Sequence, residues 1–199
     1  MKYIDLPLSI LQIGSAAFEG CMDLETIVLS DSIINIGTGA FKSSNFGNAM
    51  KLAVNELPKD LETLGVNAFL DGGDNVVITK LPKKLKVLSA WSLAHCPKVT
   101  IKEFGNWSSV DDPNSEDISL LKQINGNCLD GSGTSLISEI YVGDSVTTVQ
   151  RDAFKNYGDP ITTAYLAYPE KSVQYSELSA AEIGFNLSKT SCVFSHIRS

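Results

Sequence analysis

An α/β solenoid of about six coils is the fold this 199-residue sequence predicts, built from short parallel strands, helical or 3-10 turns and a capped C-terminal end. Three observations predict it. Aliphatic anchors recur at Ile13, Ile36, Leu64, Leu88, Ile124 and Val149, with spacings of 23, 28, 24, 36 and 25 residues. Each anchor is preceded three residues earlier by another aliphatic: Ile10, Ile33, Leu61, Leu85, Leu121 and Val146. Each is followed five residues later by a large apolar group, in the order Phe18, Phe41, Phe69, Leu93, Leu129 and Phe154. Self-similarity at a period of two to four dozen residues is the signature of a stacked repeat, in which every coil buries its apolar face against its neighbours.

The columns have a physical reading. Aliphatics at the anchor and three before it form an inward ladder. A small residue precedes each large group, namely Ala17, Ala40, Ala68, Ser92, Cys128 and Ala153, and the pair reads as a short helical turn whose small member lets coils approach. Gly14, Gly37 and Gly65 follow the first three anchors, where a backbone bend is expected that a β-branched residue would resist. Seven residues before the anchor, Leu6, Leu29, Leu57, Leu81 and Val142 end strand-like runs, three of them followed by Pro7, Pro58 and Pro82. The strands themselves are read at 24–29, 52–54, 76–78, 99–101 and 137–142. Stacked at ~4.8 Å, they are expected to form one parallel sheet along the whole molecule, about 25 to 30 Å over the coils.

After Phe154 the pattern changes, and an uncapped solenoid would expose its core side chains. Residues from about 161 to 199 are therefore expected to be the cap, with a helical turn at 179–182 and a final strand at 190–194. The whole of 1–199 is read as a single solenoid domain, repeats covering about 4–168. Because Tyr3-Ile4-Asp5-Leu6-Pro7 already reads as a strand end, the chain is expected to begin inside a repeat: either it continues a longer chain or its first coil is incomplete.

The wording of the repeat carries a resemblance. Leu6-Pro7-Leu8-Ser9-Ile10-Leu11-Gln12-Ile13-Gly14-Ser15-Ala16-Ala17-Phe18-Glu19-Gly20-Cys21 resembles the BspA-like (type 5) leucine-rich repeat almost position for position. Residues 33–41, 57–69 and 142–154 repeat the match. The copy at 81–96 has Ser89 in place of Gly and Leu93 in place of Phe, and the copy at 121–129 departs furthest. The resemblance implies a right-handed leucine-rich-repeat solenoid on a bacterial or protist cell surface, with adhesion or protein binding as the recurrent role and no catalytic residues to carry over. Extra residues at 43–50 and 102–117 depart from the family's spacing, which leaves ligand identity to the site rather than the fold.

Composition excludes some function classes. Sixteen basic residues stand against 23 acidic ones, a net charge of -7, and the longest basic cluster is Lys83-Lys84 with Lys86. Nucleic-acid binding needs several cations on one face, so none is expected. No stretch approaches the ~20 apolar residues of a membrane span, and the N-terminus lacks the apolar centre of a secretory signal.

Few residues offer chemistry. Cys21 and Cys96 share a column but stand three coils, or ~14 Å, apart, beyond the ~7 Å that a disulfide bridges. With Cys128 and Cys192 they are read as four free, mostly buried thiols, and the absence of a CxxC pair argues against structural zinc. His95 beside Cys96 invites a dyad, but adjacent side chains diverge. The acidic run 108–117 lacks the alternation and closing Glu of a calcium loop, and 71–75 and 131–135 read as turns. Asn106-Trp107-Ser108 and Asn186-Leu187-Ser188 fit the glycosylation pattern, which has no meaning in a bacterial protein. No catalytic residue, metal site or cofactor is expected.

Outward strand positions remain as the candidate ligand-binding residues: Glu25, Val28, Thr100, Lys102, Glu139 and Tyr141, with Trp107 as an aromatic anchor on a polar insert. The expected function is a monomeric, non-catalytic adhesion or protein-binding module, at the cell surface or extracellular, recognising a host matrix or surface protein. A structural spacer within a larger surface protein is the alternative, and an enzyme built on the insert loops is a third reading.

Overall fold

A computed structural model describes residues 2–43, 51–106, 118–133, 137–158, 161–166, 181–185 and 191–194. The anchor column is itself a sheet. Six two-residue strands, β2 (Gln12–Ile13), β4 (Asn35–Ile36), β5 (Thr63–Leu64), β6 (Val87–Leu88), β8 (Gln123–Ile124) and β10 (Thr148–Val149), pair in parallel in that order. The anchors stand in register from one coil to the next, Ile13 opposite Ile36, then Leu64, Leu88, Ile124 and Val149. Strands this short would not persist alone; each is held by one or two paired neighbours and by a buried anchor.

The single long sheet expected from the upstream strands is not continuous. β1 (Tyr3–Ile4) pairs with β3 (Thr26–Ile27), and Val54 makes an isolated parallel bridge to Val76. Pairing resumes with β7 (Glu103–Phe104), β9 (Glu139–Val142), β11 (Thr163–Leu166) and β12 (Ser191–Phe194), a four-stranded parallel sheet. The strand expected at 99–101 therefore lies a few residues downstream. The cause is the longer coil between Leu88 and Ile124, whose extra length carries the segment after Ile101 away from the preceding coil.

Helices are essentially absent among the described residues, which corrects the α/β and helical-turn expectation; the one helical element is a 3-10 turn at Gly73–Asn75. The segment after each anchor is a run of tight turns. In the first coil the amides of Ala17, Glu19 and Cys21 bond back three residues, to Gly14, Ala16 and Phe18. The amides between them cross to the next coil: Ala16 to Thr38 at 2.8 Å, Phe18 to Ala40 at 2.8 Å and Gly20 to Lys42 at 2.9 Å. An α-helix needs every amide for its own i−4 carbonyl, so a backbone that shares half its donors with the neighbour cannot be one. The geometry is set by a left-handed residue three after each anchor: Ala16, Gly39, Asn67, Trp91, Asn127 and Asp152, with φ between 54° and 62°.

The glycine after the anchor has a different reason from the bend expected of it. Gly37 and Gly65 are not left-handed. A Cβ on Gly37 would meet the Ser15 nitrogen at 2.5 Å, and one on Gly65 the Thr38 nitrogen at 2.4 Å, whereas at Gly14, on the end coil, nothing stands within 4 Å. Close approach of coils, not backbone freedom, excludes a side chain there.

The large apolar column forms one spine. Phe18, Phe41 and Phe69 stack with ring centres 5.2 and 5.0 Å apart, and Phe154 stacks on Phe185 at 5.1 Å. Where the column narrows to Leu93 and Leu129, Phe104 reaches across from β7 to meet Phe154 edge-on at 5.2 Å. Ser92 Oγ in the small-residue column is buried without a hydrogen bond, the one such side-chain atom among the described residues.

β11 lies inside its sheet, paired on one side with β9 and on the other with β12, so 161–166 extends the solenoid rather than closing it. Residues 181–184 form a hydrogen-bonded turn that continues the turn track, with the Phe154 amide bonded to the Ile183 carbonyl. A strand expected at 190–194 is present as β12.

Candidate binding surface

The outward candidates fall into three groups along the interrupted sheet. Glu25 and Val28 flank β3. The Glu25 carboxylate takes the Lys2 ammonium at 2.9 Å, a bond that holds its pKa below the ordinary carboxylate value and raises that of Lys2. Val28 is 47% exposed. Thr100 and Lys102 stand three coils further, ~14 Å away at the usual spacing. Glu139 and Tyr141 lie on β9, where the Tyr141 hydroxyl donates to Glu139 Oε2 at 3.0 Å and its ring stacks on Tyr165, 4.6 Å apart and 3° from parallel. Trp107 and the acidic run 108–117 lie outside the described residues.

Thr100 and Lys102 are brought together in a cavity of about 650 Å³ that also takes in Thr79, Lys80, Lys83 and Ser119. A hollow of about 320 Å³ adjoins it, sharing Lys80 and Lys83 and adding Lys59. Sequence reasoning missed Lys80 and Lys83. The signal was the 36-residue spacing, which forces the segments on either side to part. It also missed the outward row of the six-stranded sheet, Gln12, Asn35, Thr63, Val87, Gln123 and Thr148, an uncharged row alternating with the anchors.

Groups that could have carried chemistry are committed to structure. Cys96 Sγ contacts the carbonyls of Phe69 and Ala94 at 3.3 and 3.5 Å, while His95 Nδ1 faces Asp71 Oδ1 at 2.5 Å, so the neighbours part as expected. Burial pushes the Cys96 thiol up to about 12 and raises Cys128 further still, which keeps both protonated. Cys21 is exposed, because its coil has no neighbour on one side among the described residues. Ser132 Oγ accepts the Cys96 amide at 2.9 Å and donates to the Leu93 carbonyl at 2.6 Å, tying two coils together. The Asn106 side chain donates to the Ser119 carbonyl at 2.8 Å and accepts its amide at 2.9 Å. No group of three or more His, Cys, Asp or Glu side chains that could hold a metal gathers among the described residues, nor is any described helix long and apolar enough to cross a membrane.

Comparison with known proteins agrees with this geometry. The model of the BspA type leucine rich repeat region matches residues 1–114 and 44–159, in six copies. No curated protein matches the chain significantly. With its anchors paired in register and most of its length matched, the chain belongs to the BspA-type leucine-rich-repeat family.

Proposed function

We propose that the chain is one non-catalytic solenoid domain of a cell-surface or secreted protein, acting as a monomer, and that it recognises a protein partner, such as a host matrix or surface protein, through the interrupted sheet face. The observation that carries this reading is the composition of that face on a fixed scaffold. Hydroxyl and charged side chains at Thr100 and Lys102, just before β7, and at Glu139 and Tyr141 on β9 project from segments whose inward neighbours, Ile101, Phe104, Ile140 and Val142, are fully buried. A surface held this way loses little conformational entropy when a partner docks, so its contacts count more fully toward affinity. Family membership supports the protein-binding part of the reading, because leucine-rich repeats commonly serve that purpose.

The test is saturable binding of the purified chain to a panel of purified extracellular-matrix and cell-surface proteins. A partner is expected whose affinity falls at least about tenfold in the Glu139→Lys/Tyr141→Ala variant, as truncation of a central aromatic does at other interfaces. A Thr63→Ala variant on the six-stranded sheet should leave it unchanged. Saturable binding absent across the panel, with the chain folded, would instead favour a spacer.

A further inference from the structure

We infer that the lysine-lined cleft at the break in the second sheet is a docking groove for an extended acidic peptide segment; this rests on the protein-binding reading above and names the partner's chemistry. The cleft exists because two neighbouring segments separate. The Thr100 amide bonds to the Ile78 carbonyl at 2.8 Å, after which residues 79–83 turn toward the next anchor while residues 101–104 continue outward to pair with β9. Among the described residues the chain next meets the first segment at Leu120, whose amide donates to the Lys83 carbonyl at 2.6 Å. Between these contacts lies the 650 Å³ opening, a volume in the range of ligand sites.

Its lining brings several lysines together. Among the described residues, Lys80, Lys83 and Lys102 line it against a single carboxylate, Glu103, with the hydroxyls of Thr79, Thr100 and Ser119 between them. That is a local excess of positive charge on a chain whose net charge is -7. Six lysines elsewhere are paired within the fold. Lys2, Lys42, Lys51, Lys59, Lys84 and Lys86 each stand 2.7 to 3.4 Å from a carboxylate on a neighbouring coil. Lys80 and Lys102 have no such pair among the described residues, and both open into this one space.

Shape favours a chain over a point anion. The adjoining 320 Å³ hollow extends the trough toward Lys59, Glu56 and Asn55 on the preceding coil. Two coils span about 10 Å, the length of roughly three extended residues at ~3.3 Å each. Glutamate or aspartate side chains on such a segment would reach the ammonium groups, and the hydroxyls can bond its backbone.

A fluorescently labelled hexaglutamate peptide tests this by anisotropy against the intact chain. Saturable one-to-one binding that weakens as salt rises is expected, with the Lys80→Glu/Lys102→Glu variant losing roughly tenfold or more in affinity. Lys122→Glu/Lys155→Glu makes the same change in net charge at exposed lysines outside the cleft and should stay within about twofold. Unchanged urea midpoints would show that both variants fold. Equal losses in the two variants would reduce the effect to overall charge and overturn the groove. So would absence of saturable binding, or binding of a sulfated oligosaccharide or single-stranded DNA in its place. A protein partner that still depends on Glu139 and Tyr141 while the peptide fails to bind would sink the groove and leave the wider function standing.

Discussion

The two sides of the solenoid are laid down by the same coils, yet one sheet runs unbroken through six strands while the other is interrupted between Ile27 and Val54 and again between Val76 and Glu103. On the unbroken side everything keeps a constant offset from the anchor: the left-handed residue at three, the small residue at four and the large apolar group at five. On the split side the offset varies, because the coils that begin at Ile36 and Leu88 carry extra residues. Constant spacing gives register and burial; variable spacing gives an opening with polar walls. The first is the source of rigidity and the second the place where a ligand can be held.

The largest effect that would sharpen this contrast is in the ring spine. Phe69→Ala removes a fully buried ring stacked on Phe41 and should cost about 3–5 kcal/mol in urea unfolding. Tyr165→Ala, which removes the half-buried stack on the split sheet, should cost only about 0.5–1.5 kcal/mol. Equal costs would mean that the two sides bear load alike. Next comes the glycine column. Gly65→Ala pushes a methyl into the backbone of the adjoining coil and should destabilise by about 1–3 kcal/mol, while Gly14→Ala, with open space around it, should stay within about 0.5 kcal/mol. Ser92→Ala has the opposite sign: deleting a buried hydroxyl without a partner should raise stability by up to about 1 kcal/mol.

The smallest effect is the response to acid. Glu25, Asp31 and Glu62 are each held below the ordinary carboxylate pKa by a hydrogen bond from a lysine on a neighbouring coil. A carboxyl with a lowered folded-state pKa stabilises the fold above its unfolded value and loses that contribution as pH falls through the folded one. The urea midpoint should therefore hold steady from neutral pH to about 5 and decline only as pH drops below about 4. The decline should be slight, since these pairs are exposed to solvent. A midpoint that rose on acidification would refute the stabilising role given to them.

The anchor ladder was legible in the sequence because Ile13, Ile36, Leu64, Leu88, Ile124 and Val149 obey one rule of spacing and all meet in register. The turn track was misread as helical for a physical reason. Ala-Phe pairs at this spacing suit a helical turn equally well, and what decides against it is the donation of alternate amides to a neighbour some two dozen residues away, which no local pattern records. The glycine column was recognised but explained by bending, since a clash between coils is visible only once they are stacked. Continuity of the second sheet was overestimated, because each strand was judged by itself while pairing depends on the length of the coil between two strands. Thr100 and Lys102 could be chosen as outward residues on alternation alone. Lys80 and Lys83 could not: a cleft belongs to the divergence of two segments, not to the sequence of either.

The alternation of amides in the turn track acts as a reading frame. In the first coil, donors at 16, 18 and 20 face the next coil and those at 17, 19 and 21 fold back on their own. Deleting one residue between Ile13 and Cys21 would exchange these roles for everything after it, leaving a row of carbonyls on the next coil unanswered. Length can change harmlessly only past this frame, and the stretches that lengthen the two longer coils, 43–50 and 102–117, do follow it in the sequence. Growth of the repeat is thereby confined to the side where the second sheet is broken, so that new recognition loops can be tried without disturbing the frame that keeps the coils aligned.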